Sequence, residues 1–223
     1  MKKLNSLDAA AIVIWLLPVA YIVYIYSSLP VSVPVHFGID GKPDSYGSKG
    51  DFLELQAILM GAAAFVYLLL KFLPAIDPKK YVKYGEATFQ KMALGLVLFL
   101  SALDIAIAYS ALNQGFKVDK LILPIIGLMF AFLGNIMNSI KPNYFAGIRT
   151  PWTLEDDDTW RATHRLAGKL WFTGGIVLAI TVLLLPAKAG TIVFMSLVGV
   201  LVLIPVIYSY LYYKKHHPLT PNS

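Results

Sequence analysis

The sequence predicts an all-α integral membrane protein of six transmembrane helices with both termini cytoplasmic. Three observations carry this. Of 223 residues, 57% are apolar and only 14% charged, against about 25% charged in ordinary soluble domains. Mean hydropathy is +0.65, and the apolar residues gather into blocks long enough to cross a bilayer, which takes about 20 residues each. The basic residues are shared unevenly between the connections joining those blocks, and connections rich in Lys and Arg stay cytoplasmic.

The first block, 9–26, follows Lys2 and Lys3 as a signal peptide would. It outruns a signal h-region and no Ala-x-Ala site follows, so it reads as a retained span. The second, 52–73, has Glu54 and Gln56 in its first turns and Lys71 near its end. These are expected to reach the head groups, leaving 57–70 for the hydrocarbon. Blocks 89–112, 121–137 and 167–185 follow. The last, 191–213, contains Pro205, read as a kink, and closes on Tyr208, Tyr210, Tyr212 and Tyr213, an aromatic anchor. His216 and His217 beyond it read as solvated. The chain divides into an N-terminal hairpin of two spans, 1–75, with a loop motif at 29–51; a four-helix region, 76–213, with a second motif at 141–169; and a tail, 214–223.

With a cytoplasmic N-terminus, the inner segments hold Lys2, Lys3, Lys71, Lys79, Lys80, Lys83, Lys91, Lys141, Arg149, Arg161, Arg165, Lys169, Lys214 and Lys215. The outer segments hold Lys42, Lys49, Lys117, Lys120 and Lys188. All three arginines fall inside, which fixes the orientation. The net charge of +6 is thus accounted for by topology and anionic lipid, and no direct nucleic-acid binding is expected. With no cysteine, disulfides, thiol nucleophiles and iron–sulfur clusters are excluded. No cofactor is called for.

The long outer connection carries Pro30, Pro34 and an Asp40-Gly41 turn signal, consistent with a short β-like or hairpin excursion. Two readings of its polar residues stand open. His36, Asp40 and Asp44 form a cluster able to hold a cation or ligand, or the aspartates brace their own turns while His36 packs on an aromatic ring. Asp104 is the acidic residue deep in a span, where an ionised carboxylate costs roughly 2.5–3.5 kcal/mol. It sits in the leaflet facing the His36 loop, and 121–137 offers a matching face of Gly127, Ala131, Gly134, Asn135 and Asn138. Asp104 serves either an interhelical hydrogen bond or a proton- or ligand-responsive site.

The inner connection reads Lys141-Pro142-Asn143-Tyr144-Phe145-Ala146-Gly147-Ile148-Arg149-Thr150-Pro151-Trp152-Thr153-Leu154 and continues to Trp160, Thr163-His164-Arg165 and Gly168-Lys169. Thr153 with Asp156 resembles a capping box, placing a helix start near Leu154. At helical spacing Trp160, His164, Gly168 and Trp171 share a face and Arg161 and Arg165 form a basic stripe beside it. Trp160 should stack on His164, and the Gly147 turn could return Arg149 toward Glu155 or a neighbouring Asp. Arg149 as a lipid-phosphate anchor and Trp152 and Trp160 as interfacial belt residues are the alternatives.

This stretch closely resembles the signature of the SdpI family of bacterial toxin-immunity membrane proteins. The earlier Pro34-Val35-His36-Phe37 through Gly41-Lys42-Pro43-Asp44 resembles the small domain of unknown function that often precedes it. The resemblance implies a multi-span plasma-membrane protein protecting the cell from a secreted antimicrobial peptide of the sporulation-delaying type. In the family's founding member it also implies holding a transcriptional repressor at the membrane. Expected binding residues are His36, Asp40, Asp44, Asp104, Asn135, Asn138, Asn143, Arg149, Trp152, Trp160, His164 and Arg165. The competing classes are a small transporter or export channel using Asp104, and an intramembrane enzyme. The spans hold no serine, histidine and acid constellation, which disfavours the enzyme.

Overall fold

The computed structural model describes residues 4–38, 40–76, 85–113 and 115–217. Lys2, Lys3, Lys79, Lys80 and Lys83, which bear on orientation, lie outside the described residues, as does 218–223. The order is α1 (Ser6–Ile25) closed by a 3-10 turn (Tyr26–Ser28), β1 (Val33–Phe37), β2 (Pro43–Gly47), α2 (Lys49–Ile76), α3 (Glu86–Leu112), α4 (Asp119–Met137), α5 (Pro151–Glu155), α6 (Asp157–Leu184) and α7 (Ala187–His216). All but α5 among these helices are long and apolar enough to cross a membrane, giving the six expected spans.

The helices overrun the apolar blocks because polar caps extend them. Asn5 and Asp8 form a reciprocal capping box on α1. Ser48 and Asp51 exchange hydrogen bonds at the start of α2, as capping residues do. The last turn of α6 is closed from another helix: Lys120 Nζ donates to the carbonyls of Val182, Leu183 and Leu185, placing a cation on orphan acceptors at the negative helix end. At the C-terminus α7 continues to His216, into the segment expected as tail, and His216 and His217 stack on Tyr212 and Tyr213.

Helices α1 and α2 pack on α3, α4 packs chiefly on α6, and α7 covers α6. The α4–α6 contact is a seam of small residues. A Cβ built on Gly127 would lie 2.9 Å from the Gly175 carbonyl, and one on Gly134 would lie 2.8 Å from the Gly168 carbonyl. Backbones this close are how helices associate where no water drives them together. The small face of α4 therefore meets α6, not the Asp104 face of α3 as the sequence suggested; the glycines of α6 supply the complementary surface.

The expected hairpin forms. β1 and β2 pair antiparallel from Val33↔Gly47 to Phe37↔Pro43 with irregular register beside His36, and Gly41 turns at φ 71°. Val33 is fully buried with Ile25, Leu29, Phe52, Ala108 and Ala111. At the tip, Val118 N–H donates to the Gly41 carbonyl at 3.3 Å, tying the hairpin to the start of α4.

Candidate functional site

At the opposite end of the bundle the loop 138–150 folds back on α6. Asn143, almost fully buried, organises it. Its Oδ1 accepts from Phe145 N (2.7 Å) and Ala146 N (2.8 Å), and its Nδ2 donates to the carbonyls of Lys141 (2.8 Å) and Ala146 (3.1 Å). That uses the whole bonding capacity of an amide. Gly147, at φ 111°, then lays the chain against α6, where a Cβ would strike His164 Nε2 and stand 3.2 Å from the Trp160 ring.

His164 holds the loop there. Its Nδ1 lies 2.9 Å from the Trp160 carbonyl, an acceptor, and its Nε2 lies 3.2 Å from Ile148 N–H, a donor. The two partners together require the neutral Nδ1–H tautomer. The rings of Trp160 and His164 stack at 4.1 Å and 16°, as their spacing predicts, and Trp160 Nε1 donates to the Ile140 carbonyl at 2.9 Å.

Helix starts differ from the sequence expectation. Thr150, not Thr153, caps α5 in a box with Thr153, and Pro151 occupies the first helical position, where a missing N–H is harmless. Asp156 breaks the helix and caps α6 separately through Thr159. Burial raises the Asp156 carboxyl, but hydrogen bonds from Thr159 outweigh it and hold the group below the usual carboxylate range. Because Thr150 and Thr153 bond each other, Thr153 is not free to pair with Asp156. Arg149 donates to the Tyr144 carbonyl rather than returning to Glu155 or an Asp. Trp152 meets Tyr210 of α7, ring centroids 5.0 Å apart, outside the space described next.

Loop and α6 form a cavity of about 900 Å³ whose polar lining includes Asn138, Lys141, Asn143, Asp157, Trp160, Arg161, His164 and Arg165. Buried Asn143, Trp160 and His164 build its wall with their polar atoms engaged. Exposed Asn138, Lys141 and Arg165 are what it offers a ligand. Asn135 lies elsewhere, in a largely apolar groove between α3 and α4.

At the hairpin, His36 Nδ1 lies 2.5 Å from Asp44 Oδ1 and both side chains are mostly exposed, so His36 pairs with a carboxylate rather than an aromatic. Asp40 braces its own turn through Lys42 N at 3.2 Å. Among the described residues no group of three such side chains is placed to hold a metal. Asp104 is 1% exposed. Its main-chain carbonyl accepts from Gln56 Nε2 at 3.2 Å, while both carboxyl oxygens stand without a hydrogen-bond partner among the described residues. Gln56 is thus buried against α3 rather than at the head groups. Ala108, one turn above Asp104, is sealed by the apolar cluster beneath the hairpin.

The loop and the helices it joins decide the relationship. The family model described as the SdpI/YfhL protein family matches residues 139–209. This region is similar to the SdpI family. Upstream, residues 13–60 match a domain of unknown function, DUF1648. The immunity protein SdpI of Bacillus subtilis (strain 168) is 24% identical over 193 residues, covering 86% of this chain and 89% of that protein. An uncharacterized protein of Archaeoglobus fulgidus is 39% identical over 71 residues, 31% of this chain and 37% of its own length. No solved structure matches significantly. With six membrane-length apolar helices, this relationship makes the chain a multi-pass plasma-membrane protein.

Outside the SdpI region one cluster escaped sequence reasoning. Lys71 Nζ lies 2.8 Å from Asp8 Oδ1, both side chains nearly enclosed, and Tyr67 Oη donates to the same oxygen at 2.6 Å. Lys71 does not reach for the head groups. The signal was present as Tyr67 and Lys71 at i, i+4 on one helix face, but their partner lies on another helix.

Proposed function

We propose that the chain is a toxin-immunity protein of the plasma membrane. It intercepts a secreted cationic or amphipathic peptide on the hairpin face and signals by holding a cytoplasmic repressor on the face of loop 138–150. The observation that carries this is the similarity to immunity protein SdpI along 86% of the chain. The placement of basic segments supports an outward hairpin and an inward loop, and the folding of loop 138–150 into one bonded unit supports a protein-binding role for that face. Under this reading His36, Asp44 and Asp104 serve the outer side and Arg149, Trp152 and Arg165 the inner.

The test is survival. Cells lacking their own immunity gene, expressing this chain and challenged with a sporulation-delaying type peptide, should grow where empty-vector cells lyse. Equal killing of well-expressed cells overturns the immunity reading. Arg149→Ala should leave the protein inserted and abundant but release the repressor; unchanged repressor localisation overturns the signalling part alone. The carboxyl of Asp104, buried and without a hydrogen-bond partner among the described residues, favours one second reading, a small transporter. Asp104→Asn abolishing peptide efflux while leaving peptide binding intact would select it.

A further inference from the structure

We infer that the cavity between loop 138–150 and α6 is a binding site for a phosphate-bearing head group, with Lys141 and Arg165 as its cationic walls and Asn138 as an added donor. The proposal does not rest on the immunity reading, but it shares loop 138–150 and Arg165 with the signalling face proposed above. Lys141 comes from the loop and Arg165 from the third turn of α6, so the two cations stand on different elements around one space of about 900 Å³. Neither charged side-chain group has an ion-pair or hydrogen-bond partner among the described residues. Arg161 differs, standing 3.8 and 3.9 Å from Asp157 and Asp158. With the lining carboxylate Asp157 set against Arg161, the cavity keeps its net positive charge on Lys141 and Arg165.

Its depth in the membrane narrows the ligand class. Asn138 follows directly on the last residue of α4, and Arg165, like Lys169, precedes the uncharged, largely apolar stretch of α6 that begins at Leu170. Both edges lie where spans leave the hydrocarbon, at head-group level, and a basic pocket between helices at that level suits an anionic lipid phosphate. The volume far exceeds that of a bare anion and suits a glycerophosphate. The walls are preformed, since Asn143, Trp160 and His164 are fixed by their own hydrogen bonds, so little ordering is lost on binding.

The full chain in nanodiscs of phosphatidylcholine with a minor fraction of phosphatidylglycerol, followed by native mass spectrometry, tests this. Phosphatidylglycerol should be retained preferentially. Arg165→Gln should lower that preference about five-fold, the factor matching roughly 1 kcal/mol per basic residue at an anionic surface, and Lys141→Gln should act similarly. Lys188→Gln, at the other end of the bundle, should leave it unchanged. Arg165→Lys should restore most of it, which separates charge from folding. Inorganic phosphate is the second arm: protection against thermal unfolding that is lost in Arg165→Gln, without lipid preference, assigns the site to a free phosphate compound. No preference for phosphatidylglycerol together with no protection by phosphate overturns the proposal, as does equal loss in Lys188→Gln.

Discussion

Lys71 of α2 lies 2.8 Å from Asp8 of α1, with side chains 12% and 4% exposed. Removing one member of a buried pair leaves an uncompensated charge, at a cost that exceeds what the intact pair contributes. Lys71→Met should therefore destabilise the protein in detergent by about 3 kcal/mol. Asp8→Asn combined with Lys71→Met should recover most of that loss. Thermal unfolding of the two variants decides it: a double variant as unstable as the single one would show that the charges themselves hold α1 to α2.

That pair also shows where the sequence ceased to be legible. Apolar length revealed six spans, and the 160/164 spacing revealed the Trp160–His164 stack, because both are properties of a single helix. Which helix faces which is not local. Lys71 and Gln56 looked like residues reaching for water, and only the approach of α1 and α3 converts them into buried partners of Asp8 and of the Asp104 carbonyl. The glycines of α4 announced a close contact but not that α6 would fill it. In loop 138–150 the signature residues were visible as a motif. Their division into wall-builders and exposed cations required the hydrogen bonds of Asn143 and His164.

Gly147 is required twice over, by φ 111° and by the absence of room beside His164 and Trp160. Gly147→Ala should lift the loop from α6 at a cost of about 1–3 kcal/mol, the range for a residue forced into sparsely populated backbone space. The Ile148 amide, which donates to His164, should lose its protection against hydrogen exchange while the spans keep theirs. Protection unchanged at Ile148 would refute the clasp.

The α4–α6 seam makes a contrast between glycines. A Cβ on Gly175 would press on the Gly127 carbonyl and the Ala131 amide, whereas one on Gly199 of α7 meets nothing within 4 Å. Gly175→Ala should cost about 2 kcal/mol, as overpacking does. Gly199→Ala should be neutral or stabilising by up to about 1 kcal/mol, since alanine is the better helix former. Similar melting shifts for both would mean that the helices separate freely.

Orientation rests on the basic segments and is open to direct labelling. A reporter at Lys42 in the hairpin should be active outside the membrane and one at Asp157 inside. The charge asymmetry predicts the whole arrangement at once, so reversal at either position overturns it.

Asp156 links α5 to α6, and its role has a pH signature. Its Oδ2 accepts from Thr159 N at 2.7 Å, satisfying one orphan amide at the N-terminus of a helix whose dipole favours a negative charge there. The folded carboxyl is held below its ordinary range by the Thr159 bonds in spite of burial. A carboxyl lowered on folding contributes stability above its unfolded pKa of about 3.9 and loses it as pH falls through the lower folded value. The contribution should thus be constant at neutral pH and disappear only below about pH 4. Asp156→Ala should cost about 1 kcal/mol at pH 7, and the gap between variant and parent should close on acidification. Asp156→Asn keeps a capping oxygen but no charge, so it should lie between the two at pH 7, and its margin over Asp156→Ala should stay constant as the pH falls. Hydrogen exchange at Thr159 N–H as a function of pH reads this one cap, and a gap that persists below pH 3 would assign the effect to packing rather than to the cap's charge.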